Sequence, residues 1–136
     1  MKTFLIIASL VFLDLISKYL IYDLHFWNNF YLITPILNTG ISWWIKILHF
    51  NILVIVIPLI LIWIIYLYKK NEIWYYPFLL IFAWWVANFI DRLMYHWVRD
   101  FIDFHFFPVF NIADIFVSIW VFLLFYEIFF PKKNKI

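Results

Sequence analysis

The chain has 136 residues, of which 68% are hydrophobic and only 13% charged, with a net charge of +2. A soluble domain carries about 45–50% apolar and about 25% charged residues, so this composition describes a single-domain membrane protein with too little charge to address nucleic acid. The absence of cysteine excludes disulfides, thiol nucleophiles and cysteine metal sites, and a single glycine, Gly40, excludes glycine-rich phosphate and dinucleotide loops.

A helix rising about 1.5 Å per residue needs about 20 apolar residues to cross about 30 Å of hydrocarbon. Residues 3–22 form the first such stretch. Lys2 gives it the basic end of a secretory signal, but it has no small-residue cleavage site, and Asp14 and Lys18 interrupt its apolar run. It is therefore predicted to stay as a span. Residues 23–50 are too long for a tight turn and read as an aromatic segment resting on the bilayer, with short strands at 30–33 and 41–44 around Pro35 and Gly40. Three further spans follow at 51–68, 73–93 and 110–130, the last two joined by the segment 94–109. The predicted fold is a membrane all-α domain over 1–136, with four transmembrane helices and a small extended β cradle on the outer membrane surface.

Lys2, Lys69, Lys70, Lys132, Lys133 and Lys135 fall on one side of this arrangement, which the positive-inside rule assigns to the cytoplasm together with both termini. Segments 23–50 and 94–109 then face outward, with Trp27, Trp43, Trp44 and Trp97 near the outer boundary.

This orientation turns the scattered polar residues into a constellation. Asp14 and Lys18 on the first span, Asn88, Asp91 and Arg92 on the third, Asp100 in the outer segment, and Asn111 and Asp114 opening the fourth all lie at one depth near the outer leaflet. Glu127 is the main polar residue of the inner halves. Ionisable residues at membrane depth are expensive and usually functional. Asp14 and Lys18 have the i, i+4 spacing of a helical ion pair, and either neutralise each other or contact substrate. Asn88, Asp91 and Arg92 share a face and either latch helices together or line a pocket. Asp114 either pairs with a cation, Arg92 or Arg99, or faces Asp100. Two close carboxylates share a proton, so one can act as base on a water while the other protonates a carbonyl. That chemistry needs no cofactor and no metal. His96 and His105 flank Asp100 and Asp103, but their spacing matches no standard ligand pattern.

Read in order, these residues resemble the lipoprotein signal peptidases, or signal peptidase II, integral-membrane aspartyl peptidases of bacteria. The matching motifs are Asp14-Leu15-Ile16-Ser17-Lys18, Asn38-Thr39-Gly40-Ile41-Ser42-Trp43, Asn88-Phe89-Ile90-Asp91-Arg92, Val98-Arg99-Asp100-Phe101 and Phe110-Asn111-Ile112-Ala113-Asp114. The resemblance implies that Asp100 and Asp114 are the catalytic pair. It also implies that Asn38, Gly40, Asn88, Arg92 and Asn111 bind substrate or brace the pocket, and that Asp14, Lys18 and Asp91 hold it together. The implied substrate is a prolipoprotein carrying a diacylglyceryl-cysteine, cut just before that cysteine. The implied setting is the bacterial cytoplasmic (inner) membrane, where a monomer works among membrane lipids with its site toward the outer leaflet. Members of the family are targets of the cyclic peptide globomycin.

The chain departs from the family pattern at Trp84 and Trp85, where glycines precede the Asn-x-x-Asp-Arg element, and at His96, which aligns with another glycine. The two tryptophans are expected to face lipid or widen the helix separation, and a positive φ at His96 would carry strain. Two other functions compete. A proton or solute carrier needs ionisable groups through the whole membrane thickness, whereas here only Glu127 lies in the inner half. A non-catalytic lipopeptide-binding relative is expected to lack a catalytic aspartate, and both are present.

Overall fold

The computed structural model describes residues 2–25, 30–40, 50–70 and 74–129. The predicted strand at 41–44, together with Trp27 and Lys46, lies outside the described residues, as does the side chain of Glu127. The elements are α1 (Lys2–Tyr22), β1 (Ile33–Asn38), α2 (Phe50–Lys69), α3 (Tyr75–Tyr95), β2 (Val98–Ile102) and α4 (Ile112–Phe129).

Each apolar stretch of the sequence carries one helix. Among the described residues α1 and α3 are long and apolar enough to cross a membrane, while the apolar described parts of α2 and α4 are shorter, Ile55–Lys69 and Ile112–Leu123. Large apolar side chains such as Phe4, Phe12, Ile55, Trp63, Tyr76 and Phe122 are exposed on all four helices. A surface this apolar is a liability in water and a requirement in hydrocarbon.

Helix α3 is the centre of the molecule and packs against α1, α2 and α4. Ala83 and Ala87, one turn apart on α3, are fully buried with Val11 of α1 and Ala113 and Phe116 of α4. Without a hydrophobic driving force between helices in lipid, small side chains at such contacts let backbones approach closely. On its other side α3 packs Phe78 and Leu79 against Ile64 of α2, with Tyr68 stacked on Phe78 at 4.1 Å between ring centroids. Pro77 sits in the first turn of α3, where its missing N–H costs no intrahelical bond.

The helix ends at His96, whose φ of 69° is left-handed and whose N–H donates to the Arg92 carbonyl. The positive φ anticipated at this departure from the family pattern is therefore present. Histidine tolerates the left-handed region better than a β-branched residue would, though less well than glycine.

The strand expected at 30–33 begins instead at Ile33 and runs on through Pro35 to Asn38. Its antiparallel partner is β2, in a segment expected as loop, with Ile36 opposite Asp100, Leu37 opposite Arg99 and Asn38 opposite Val98. The pairing is irregular between Ile33 and Ile36, where Pro35 lacks the N–H that a regular ladder would need. Residues 98–101 of β2 are all buried. The Tyr22 hydroxyl, at the end of α1, lies between the carbonyls of Ile36 and Asp100 and so straps both strands to the helix. Beyond β2 the chain doubles back, and Phe110 bridges to Ile102 immediately before α4. The two-stranded sheet thus carries Asn38 and Asp100 to the same end of the bundle as the start of α4.

Candidate active site

A buried ion network underlies the site. The Lys18 ammonium lies 2.6 Å from an Asp14 oxygen and 3.1 Å from an Asp91 oxygen, with all three side chains fully buried. Asp91 also accepts from the Arg99 guanidinium at 2.9 Å and from the Arg99 backbone N–H at 3.0 Å. Arg99 continues to Asp23 at 3.3 Å and lies over the Tyr95 ring. Charges alternate along this chain, so no ion is buried alone. Asp14 additionally accepts the Ala113 N–H at 2.8 Å, fastening α1 to an unpaired donor in the first turn of α4.

Asn111 and Asp114 cap the same turn reciprocally. The Asp114 N–H donates to Asn111 Oδ1 and the Asn111 N–H to Asp114 Oδ2, each at 3.1 Å. This is the geometry of a capping box, and it fixes the Asp114 carboxylate at the positive end of the helix dipole. The side-chain amide of Asn111 donates to Asp100 Oδ1 at 2.6 Å and to Asn88 Oδ1 at 3.1 Å. Asn88 Oδ1 in turn accepts from Lys18 at 3.2 Å. An ammonium has no acceptor, so it orients the Asn88 oxygen, which orients the Asn111 amide, which meets Asp100. The other Asp100 oxygen accepts from the Asn38 amide at 3.0 Å, and Asn38 is itself held by the Gly40 N–H. Arg92 reaches the Gly40 and Asn88 carbonyls at 2.9 and 3.1 Å.

Asp100 and Asp114 line one cavity of about 400 Å³. Its other polar walls are Asn38, Asn88, Arg92 and Asn111; its apolar walls include Ile57, Trp85 and Val98. Burial, and then the charge of Asp114, push the Asp100 carboxyl up to about 7, against the donors Asn38 and Asn111 that oppose the rise. A carboxyl held near neutrality beside a second carboxylate can give and take a proton at ordinary pH.

The structure therefore brings Asn38, Asn88, Arg92, Asp100, Asn111 and Asp114 to one cavity, with Gly40 at its edge and Asp14, Lys18 and Asp91 in the ion network behind it. Of the two alternatives for Asp114, the ion pair with Arg92 or Arg99 is not formed among the described residues, because Arg99 is drawn to Asp91 and Asp23, and Arg92 to backbone carbonyls. The expectation for Trp84 also needs correction. Instead of facing lipid it turns into the cavity, and its indole N–H donates to Asp114 Oδ1 at 2.8 Å. The close packing on α4 is left to Ala83 and Ala87. Trp85 is half-buried against the α2–α3 cluster and lines the cavity. His105 is not gathered with His96; it pairs with Asp103 and packs on Tyr31. Among the described residues no group of three His, Asp or Glu side chains is arranged to hold a metal.

Sequence reasoning overlooked Trp84, Tyr22 and Asp23 as parts of the site. A signal for the first two was present: Trp84 lies four residues before Asn88, and Tyr22 four after Lys18, each on the face of a residue already singled out.

Comparison with known proteins agrees with this geometry. Residues 6–130 match the family of signal peptidase (SPase) II. A lipoprotein signal peptidase of Pelagibacter ubique is 42% identical over 118 residues, covering 75% of this chain and 71% of its own. Another, from Caldanaerobacter subterraneus subsp. tengcongensis, is 33% identical and covers 92% of this chain and 94% of its own. A solved bacterial membrane enzyme superimposes with a TM-score of 0.79 at 29% identity, over 99% of this chain and 93% of that one. The chain belongs to the signal peptidase II family of bacterial membrane peptidases.

Proposed function

We propose that this protein is an aspartyl endopeptidase of the bacterial cytoplasmic membrane that removes the signal peptide of lipid-modified prolipoproteins, cutting immediately before the diacylglyceryl-cysteine. The observation that carries the reading is the pair Asp100 and Asp114, joined through Asn111 at the wall of one cavity. With Asp100 protonated and Asp114 ionised, a water between them loses a proton to Asp114 as its oxygen bonds to the scissile carbonyl carbon. Asp100 gives its proton to the carbonyl oxygen. The tetrahedral diol then collapses: Asp114 returns a proton to the amide nitrogen, the carbon–nitrogen bond breaks and the amine leaves, and Asp100 recovers its proton from the diol hydroxyl whose oxygen becomes the carbonyl of the new carboxyl group. Asn38 and Asn111 donate to the Asp100 carboxyl, Asn88 accepts from Asn111 and so orients its amide, and Arg92 braces the Gly40 carbonyl. All these groups come from one chain, in keeping with action as a monomer.

The lysines at 2, 69, 70, 132, 133 and 135 support four spans with both termini in the cytoplasm, which puts the cavity toward the outer leaflet. A diacylglyceryl group can then stay among membrane lipids while the peptide bond reaches the carboxyls, and the exposed aromatic flank of the outer segments offers a surface for globomycin. The test is cleavage of a prolipoprotein peptide, with and without the lipid, by purified protein. Cutting of the lipidated peptide alone, abolished in both Asp100→Asn and Asp114→Asn variants that keep the wild-type melting profile, is the expected result. Full cleavage by either variant refutes the pair.

A further inference from the structure

Trp84 packs beside the core shared by α1, α3 and α4, but that packing gives no reason for where its indole N–H points. The closest contacts between α3 and α4 belong to Ala83 and Ala87, both fully buried, and an apolar ring would serve the packing beside them without an N–H. It is half-buried, lies tilted against Trp85 at 4.6 Å between ring centroids, and aims its only polar atom at Asp114 Oδ1.

An indole N–H can donate but never accept. The second Asp114 oxygen is met by a backbone N–H, that of Asn111, which is donor-only as well. The carboxylate form satisfies both donors and lies at a helix N-terminus, which also favours negative charge. Asp100 stands differently: it is 2% exposed, sits in a strand and not at a helix N-terminus, and among the described residues its carboxyl is met by side-chain amides.

We propose that Trp84 is a positioning residue for the carboxyl pair: its indole N–H orients Asp114 and holds it ionised, so that Asp114 serves as the base and Asp100 as the acid. This rests on the reading of the two aspartates as catalytic. The charged groups facing Asp114 are Arg92 of α3 and Asp100 of β2, while the Asp14–Lys18 pair of α1 lies behind the capping turn and Ile57 is what α2 presents to the cavity. None of these groups is altered by a substitution at position 84, so the isosteric variant changes only the N–H that faces Asp114.

The experiment is the pH profile of kcat/KM on a lipidated prolipoprotein peptide in detergent micelles. The variants are Trp84→Phe and a protein carrying 3-benzothienylalanine at position 84. The second keeps the bicyclic shape and replaces only the N–H, by sulfur, so it remains informative if Trp84→Phe does not fold. Loss of a hydrogen bond to a charged group is expected to move the acid limb of the profile up by about one pH unit, with a roughly tenfold loss on that limb, and to move the alkaline limb less. A packing role would lower activity evenly across pH in Trp84→Phe and leave the isosteric variant like wild type; that result overturns the proposal. Asp100→Asn and Asp114→Asn run alongside. Should they cleave normally, the catalytic pair itself falls; should they be silent while the acid limb of the isosteric variant stays in place, only the role of Trp84 falls.

Discussion

Replacing Lys18 by methionine tests whether the buried ion network holds the helices together. The side chain is fully buried, and its ammonium meets Asp14 at 2.6 Å, Asp91 at 3.1 Å and Asn88 at 3.2 Å. Methionine fills similar volume, so packing changes little, but two carboxylates lose their common cation. Removing one partner of a buried pair costs about 3–5 kcal/mol. Asp91 retains Arg99 and Asp14 retains the Ala113 N–H, which sets the expectation at the lower end, about 3 kcal/mol. For a chain of this length that is a fall of about 10 °C in Tm, readable in detergent from the intrinsic fluorescence of its nine tryptophans. The double variant Asp14→Asn with Lys18→Met is the control. Asparagine can still accept the Ala113 N–H, the orphaned charge is gone, and about half of the lost stability should return. The reasoning is refuted if Lys18→Met melts within about 2 °C of wild type, or if the double variant is less stable than the single one.

Three further outcomes follow from the same geometry. Asp100 is raised to about 7 in the fold from an ordinary 3.8, so its protonated form is the one the fold favours. Its stabilising contribution is complete below the unfolded value and is lost as pH rises through the folded one. Urea titrations from acid to neutral pH should therefore show wild type losing stability relative to Asp100→Asn, and a constant difference between them would contradict the assignment. At the end of α3, His96→Gly should gain about 0.5–1 kcal/mol and His96→Val lose about 1–2 kcal/mol through the left-handed backbone at this position; thermal melts in the reverse order would remove the strain argument. Tyr22→Phe removes the hydroxyl between the Ile36 and Asp100 carbonyls and should cost about 1 kcal/mol, with hydrogen exchange quickening in β1 and β2 and no comparable change at the α2–α3 contact.

The helices were legible because each of the four apolar stretches of the sequence is long enough to close its backbone hydrogen bonds within itself, as an apolar surrounding requires. The polar residues were legible for the converse reason, since in such a chain every carboxylate stands out, and the orientation argument placed Asp14, Asp91, Asp100 and Asp114 at one depth before any contact was known. What could not be read was partner choice. Asp114 and Arg92 line the same cavity, yet Arg92 goes to carbonyls and Asp114 to an indole, because pairing depends on side-chain direction and not on proximity alone. The strands were misread for a related reason. A cradle of two short strands gains its stability from burial against α1 and α3, not from its own alternation, so β2 looked like loop and β1 was placed too early in the chain.

Trp84 joins both lessons. Taken as a replacement for glycine, it suggested a looser helix contact and a side chain turned to lipid. Taken as a position on α3 it says something else: four residues before Asn88 and eight before Arg92, it lies on the stripe that faces the cavity. The alanines on either side of it in the sequence, Ala83 and Ala87, take over the close contact that glycine would otherwise serve. A large side chain on the polar stripe of an apolar helix is therefore better explained by the group it meets than by the residue it replaces, and here that group is one of the two carboxyls of the proposed catalytic pair.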